Sequence, residues 1–106
     1  MKDSLKKYIA YCSSDKELAY HLRINGEWYE ESFLEFEKLV KEVLDDYSQD
    51  IFYPKLFIFN FLYSIETILG IIDNVEYKFA WPDDYFEERI QKLKKLRLDF
   101  IMEAGK

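Results

Sequence analysis

The sequence predicts a mainly α fold, a small bundle of four or five helices built as a single helical domain over residues 1–106. Three observations predict it. Gly and Pro number only 3 and 2, too few turn formers to serve many short strands. Apolar residues recur at spacings of three and four over long stretches, the period of a helix with one buried face. Hydrophobic residues make up 49% of the chain and charged residues 34%, so it holds both a core-forming and a solubilising set. A chain of this length buries a core without disulfide or metal support.

Each element follows in turn. Residues 3 to 11 bring Leu5, Tyr8 and Ile9 onto one face, with Cys12 continuing it and Asp3 as the N-cap. Ser14 and Glu17 read as a capping box that restarts a helix through Leu18, Tyr20 and Leu22. Asn25-Gly26 then reads in two ways: as a type I′ hairpin turn between LRI and EWY, or as a helix end with Gly26 at C′. The helix end is preferred, because strands of three residues are too short to hold a hairpin. Ser32 and Glu35 form a second capping box for a helix over 33–47, whose apolar stripe runs through Phe33, Phe36, Val40, Val43 and Tyr47. Pro54 suits the first turn of a helix over 55–72, since its missing amide proton has no intrahelical partner there. That helix is apolar on nearly every face except a seam of Asn60, Ser64 and Thr67, which places it in the middle of the bundle. Residues 74–81 alternate, with Val75, Tyr77, Phe79 and Trp81 on one side, and read as a strand or an extended aromatic connector. A minor β element would pair 22–29 with 75–81. Trp81-Pro82-Asp83 opens the last helix, with Asp84, Glu87 and Glu88 early and Arg89, Lys92, Lys94, Lys95 and Arg97 later, the order the helix dipole favours. Phe86, Ile90, Leu93, Phe100 and Ile101 form its expected buried face.

Several chemistries are disfavoured by residue supply alone. Zinc wants four Cys or His ligands, and the chain offers Cys12 and His21. A carboxylate-bridged metal pair in a bundle wants two Glu-x-x-His motifs, and none is present. Three glycines cannot build a phosphate cradle. A Cys12–His21 nucleophile pair would need an electropositive setting that composition does not reveal, and Glu17 with His21 at i, i+4 reads as a surface pair. Carboxylates on an exposed helix face stay ionised rather than serving as acid and base. The expectation is a non-enzymatic protein with no metal and no cofactor. A net charge of -6 also argues against direct nucleic-acid binding, and the basic run RIQKLKKLR spreads its cations around a helix. The apolar stretch 56–72 is interrupted by Asn60, Ser64, Glu66 and Thr67, so no membrane span is expected, and the N-terminus has no signal-peptide core. With one cysteine, the expected compartment is the cytoplasm.

The charge is unevenly placed. Residues 1–26 sum to +2, 27–50 to -7, 51–82 to -1 and 83–106 to zero. Off the apolar stripe of helix 33–47, Glu35, Glu37, Glu42, Asp45 and Asp46 should form an acidic ridge beside Trp28 and Tyr29. Such a ridge speeds encounter with a cationic partner, while aromatics at its centre supply binding energy. The candidate partner-binding set is therefore Glu27, Trp28, Glu30, Glu31, Glu35, Glu42, Asp45 and Asp46, and the partner a basic protein. In size, charge sign and wealth of Tyr and Phe the chain resembles bacterial immunity proteins. That resemblance, which involves no motif, implies an inhibitor that neutralises a cationic toxin domain such as a nuclease. Two other readings stand beside it. Twenty aromatic residues exceed what a small core holds with ease, so a surplus would bury the interface of a self-assembling homodimer. A small-molecule pocket beside the Asn60, Ser64 and Thr67 seam is the third.

Overall fold

Apolar residues at helical spacing become helices in the computed structural model, which describes residues 1–82 and 84–104. Among those residues there are six helices and no strand: α1 (Asp3–Cys12), α2 (Leu18–Asn25), α3 (Glu30–Asp46), α4 (Lys55–Ile72), α5 (Val75–Phe79) and α6 (Glu87–Ala104). The expected four or five become six because α5 adds a short helix.

Helix ends show where local chemistry decides. Lys2 rather than Asp3 occupies the N-cap of α1. Glu17, not Ser14, caps α2: its carboxylate accepts from the amides of Ala19 at 2.9 Å and Tyr20 at 2.7 Å. Ser14 instead donates to the Tyr11 carbonyl at 2.7 Å. Gly26 ends α2 with φ +66°, the left-handed conformation that a glycine adopts without a Cβ penalty, and its amide donates to the Leu22 carbonyl. Helix α3 starts before the expected Ser32 cap, so Ser32 lies buried inside it. Pro54 sits at the N-cap of α4 with extended backbone.

The expected β element at 22–29 and 75–81 does not form. Residues 22–25 complete α2, so 75–81 has no strand to pair with, and a lone strand leaves its amides and carbonyls unpaired. Residues 75–79 satisfy their own backbone as α5, with the Asn74 side chain accepting from the Glu76 amide at 2.8 Å. Helical spacing re-sorts the alternating side chains. Tyr77 and Trp81 now share a face against Phe86, with centroids 5.5 and 5.1 Å away. Val75 and Phe79 share the other and are exposed. Pro82 and Asp84, the latter at φ +66°, turn the chain so that α6 begins at Glu87. The expected role of Asp83 in opening α6 lies outside the described residues. Leu96 joins Phe86, Ile90, Leu93 and Phe100 in the buried set of α6, whereas Ile101 is exposed.

Four helices pack in a ring in the order α1, α3, α6, α4, each touching the next, with α2 laid against α4 and α3 and α5 against α4. Helices α3 and α4 therefore face each other diagonally, and the Phe36 and Phe61 rings stack between them at 6.3 Å. A chain of aromatic contacts fills this centre: Tyr8 meets Phe57 edge-on at 5.5 Å, and Phe61 meets Phe100 at 5.1 Å. A second cluster closes one end, where Trp28 packs on Phe33 at 5.2 Å and on Phe86 at 5.1 Å.

Helix α4 is not enclosed, contrary to the expectation for a helix apolar all round. Phe57, Phe61, Ile65, Ile68 and Ile72 are buried, but Leu56, Phe59, Leu62 and Tyr63 face outward. The reason is size. The shortest dimension of the molecule is 18 Å, room for two helices at about 8–10 Å between axes and no third layer. The polar seam is split as well: Ser64 is buried, while the Asn60 amide donates to the Leu56 carbonyl of its own helix at 2.8 Å.

Candidate partner-binding groove

Helices α1 and α3 do not close against each other along their whole length, and a groove of about 1090 Å³ runs between them. Its floor holds the buried Tyr11, Ser32 and Leu39. Lys7, Ala10 and Ser14 line the α1 side, and Glu31, Glu35, Lys38 and Glu42 line the α3 side at spacings of three and four. Lys16, His21 and Tyr29 stand at one end.

The floor is fixed by a hydrogen-bond relay. The buried Leu18 amide donates to the Tyr11 hydroxyl at 3.1 Å. Ser32 donates to the Lys16 carbonyl at 2.5 Å. Its one proton is thereby spent, so Tyr11 is the donor in its 2.9 Å contact with Ser32 Oγ. Three elements are thus joined: the end of α1, the 13–17 connection and the start of α3. Burial pushes the Tyr11 phenol up to about 12, with the Ser32 hydrogen bond opposing the rise.

Two members of the sequence-derived set turn inward. Trp28 keeps only 8% exposure and belongs to the core. Its indole N–H donates to Glu30 Oε2 at 3.1 Å, as does the Tyr85 hydroxyl at 3.1 Å, and Arg89 Nε donates to the same oxygen at 2.7 Å. Arg89 also lies over the Tyr85 ring, 4.0 Å from its centroid. Partial burial pushes the Glu30 carboxyl upward, but the bonds from Arg89 and Trp28 and the guanidinium charge outweigh it, so its pKa sits below the ordinary value. Glu30 ties the start of α3 to α6, three donors sharing its Oε2, and both it and Trp28 also line the groove.

The other members remain at the surface. Glu31 and Glu35 are exposed and Glu42 half-buried along the groove, and among the described residues none has a cation within ion-pairing distance. Lys7, Lys16 and Lys38, on the same groove, likewise have no ion-pair partner among the described residues. Glu27 accepts a short hydrogen bond from Tyr29, which holds that phenol above its ordinary pKa. Asp45 and Asp46 are exposed beyond the groove, near Lys2, whose ammonium donates to the Asp46 carbonyl at 2.6 Å and sits 4.4 Å above the Tyr47 ring. Glu37, part of the expected ridge, pairs with Lys41 at 3.7 Å.

Sequence reasoning did not find the lysines of the groove. Lys7 and Lys16 join the carboxylates of α3 only through the packing of α1 on α3, which spacing within one helix cannot show. The expected Glu17–His21 pair is absent, since the Glu17 carboxylate is committed to capping. The His21 ring instead meets Tyr29 edge-on at 4.5 Å, and its buried Nδ1 has no hydrogen-bond partner. Burial pushes the Cys12 thiol up to about 11, which leaves it protonated at neutral pH. No group of three or more His, Cys, Asp or Glu side chains able to hold a metal ion occurs among the described residues.

Fold and site together define a small helical bundle with a charged, open groove on its α1–α3 face. Comparison with protein-family models, with curated proteins and with solved structures gives no match.

Proposed function

We propose that this protein is a non-enzymatic binding domain that recognises a basic partner protein through the α3 side of the groove and the exposed carboxylates at its margins. The observation that carries this reading is the row Glu31, Glu35 and Glu42: three carboxylates on one face of α3, none ion-paired among the described residues although Lys7, Lys16 and Lys38 stand in the same groove. Unpaired carboxylates keep their acceptors and their charge for an incoming cation. The contact set that remains is Glu27, Glu31, Glu35, Glu42, Asp45 and Asp46, with Trp28 and Glu30 holding the scaffold behind it. Lys7 and Lys16 add a filter, because a uniformly cationic surface entering the groove meets repulsion from the α1 side. The resemblance to immunity proteins makes a cationic toxin domain such as a nuclease the first partner to try.

The test is capture of partners from the protein's own cells at low and high salt with wild type, Glu35→Lys/Glu42→Lys and the control Glu87→Lys/Glu88→Lys. The expected result is one stoichiometric basic protein, lost at high salt and lost with the α3 double variant, whose association falls by roughly 10-fold or more. Equal effects of the two double variants would overturn the assignment. The alternative of a self-assembling protein draws on a different face, the outward apolar residues of α4.

A further inference from the structure

We propose that two copies of this chain associate through the outer face of α4, antiparallel about a two-fold axis that passes between residues 60 and 61. This develops the self-assembly alternative and is independent of the α3 groove. The area is the first ground. Phe52, Phe59 and Tyr63 are 82%, 69% and 54% exposed. With aromatic side chains covering about 150–250 Å² each, Phe59 and Tyr63, four residues apart on α4, present roughly 200–300 Å², and Phe52 stands exposed just before the helix. Ile51, Leu56 and Leu62 enlarge this area, towards the roughly 800 Å² per partner of a standard interface.

The pattern of the face selects a second copy as its occupant. A single cation, Lys55, stands at one end of the apolar strip and a single anion, Glu66, near the other. Lys55 is exposed and has no ion-pair partner among the described residues, and Glu66 accepts from Arg97 Nη1 at 2.9 Å while its side chain stays 60% exposed. Antiparallel packing about the 60–61 midpoint brings Lys55 opposite Glu66 of the second copy and Phe59 opposite its Leu62 and Tyr63. Lys55 of the second copy would reach the exposed side of the Glu66–Arg97 pair, so each copy offers the other a cation and a carboxylate in the same register, as an isologous interface requires. The Gly70 end of α4 is flat: a Cβ built there meets nothing within 4 Å, which leaves room for the Phe52 end of the other copy. Self-repulsion is small in this arrangement. The acidic α3 lies diagonally across the bundle from α4, so the dimer holds both grooves apart and open. A lipid surface fits the face less well, since an interfacial helix flanks its apolar side with several free cations, whereas here Lys55 stands alone and Arg97 is held by Glu66.

Sedimentation velocity from about 1 to 100 µM, wide enough to bracket a micromolar dissociation constant, tests the proposal with wild type, Phe59→Glu, Lys55→Glu, Glu66→Lys and the double swap. The expected result is a concentration-dependent dimer whose dissociation constant rises by ~30-fold or more in Phe59→Glu, the scale of a central interface residue. Each single charge swap should weaken it and the double swap should restore it. Phe59 is exposed, so circular dichroism should show Phe59→Glu folded. A monomer at every concentration, including one that co-sediments with lipid vesicles, would overturn the proposal, as would a dimer indifferent to Phe59→Glu or one in which the double swap restores nothing. Glu35→Lys/Glu42→Lys should leave the dimer intact, so failure here and failure of groove binding are distinguishable.

Discussion

Two buried tyrosines on the same helix, three residues apart, should respond oppositely to loss of the hydroxyl. Tyr11→Phe keeps ring volume and opens no cavity, but it strands the buried Leu18 amide and removes the donor to Ser32 Oγ. A buried donor without a partner costs about 1–3 kcal/mol. For a domain of this size that lowers Tm by roughly 4–12 °C. Tyr8 is fully buried, and its hydroxyl lies near Cys12 and Ser64 with no hydrogen bond of good geometry. Tyr8→Phe therefore removes a desolvated polar group that has no partner to lose, and the expected change is within about 0.5 kcal/mol or stabilising. Urea unfolding of both variants gives the comparison through the midpoint at unchanged slope. Ser32→Ala adds a second readout: its effect and that of Tyr11→Phe should be non-additive, with a coupling of about 0.5–1.5 kcal/mol, because both cut one relay. Equal destabilisation by the two tyrosine variants, or strict additivity of Tyr11→Phe with Ser32→Ala, would refute the relay.

Two further outcomes are expected. Glu30 has a folded pKa below its unfolded value near ~4.3, so its contribution is fully present above the unfolded pKa and is lost as pH falls through the folded one. Thermal unfolding from about pH 6 to pH 3, spanning the carboxylate range, should therefore show a smaller acid-induced loss in Glu30→Gln than in wild type; parallel curves would remove the assigned role of the Arg89 pair. The two described glycines should respond to alanine with opposite signs. Gly26→Ala meets no atom within 4 Å but must hold φ +66°, a cost of ~1–2 kcal/mol from conformation alone. Gly70→Ala, also without a clash but inside α4, should stabilise the monomer by ~0.5–1 kcal/mol, measured by the same denaturation at low protein concentration.

The groove was half legible. Glu35 and Glu42 could be seen to project from the helix expected over 33–47, because acidic residues off an apolar stripe have only solvent to face, whereas Glu31 lay before its expected start. Trp28 and Glu30 could not be judged that way. Both precede or begin the helix, where no period fixes direction, and each turns inward because Tyr85 and Phe86 just before α6 and Arg89 within it come from more than fifty residues away. Ser32 shows the same effect on a cap: read locally it starts a helix, but the 13–17 connection offers the Lys16 carbonyl, and the hydroxyl serves that contact from inside α3.

The sequence by itself determined the helical class, the span of α4, the left-handed stop at Gly26 and the concentration of charge in residues 27–50. These follow from local period, backbone permissiveness and composition, which act over a few residues. Tertiary structure alone decided three things. It turned 75–79 into a helix, because no strand stood beside it to satisfy its backbone. It set Lys7 of α1 and Lys16 of the 13–17 connection against the carboxylates of α3, because α1 packs on α3 there. It left the outer face of α4 uncovered, because a two-layer bundle has no third layer to hide an apolar surface that the sequence had supplied on every side.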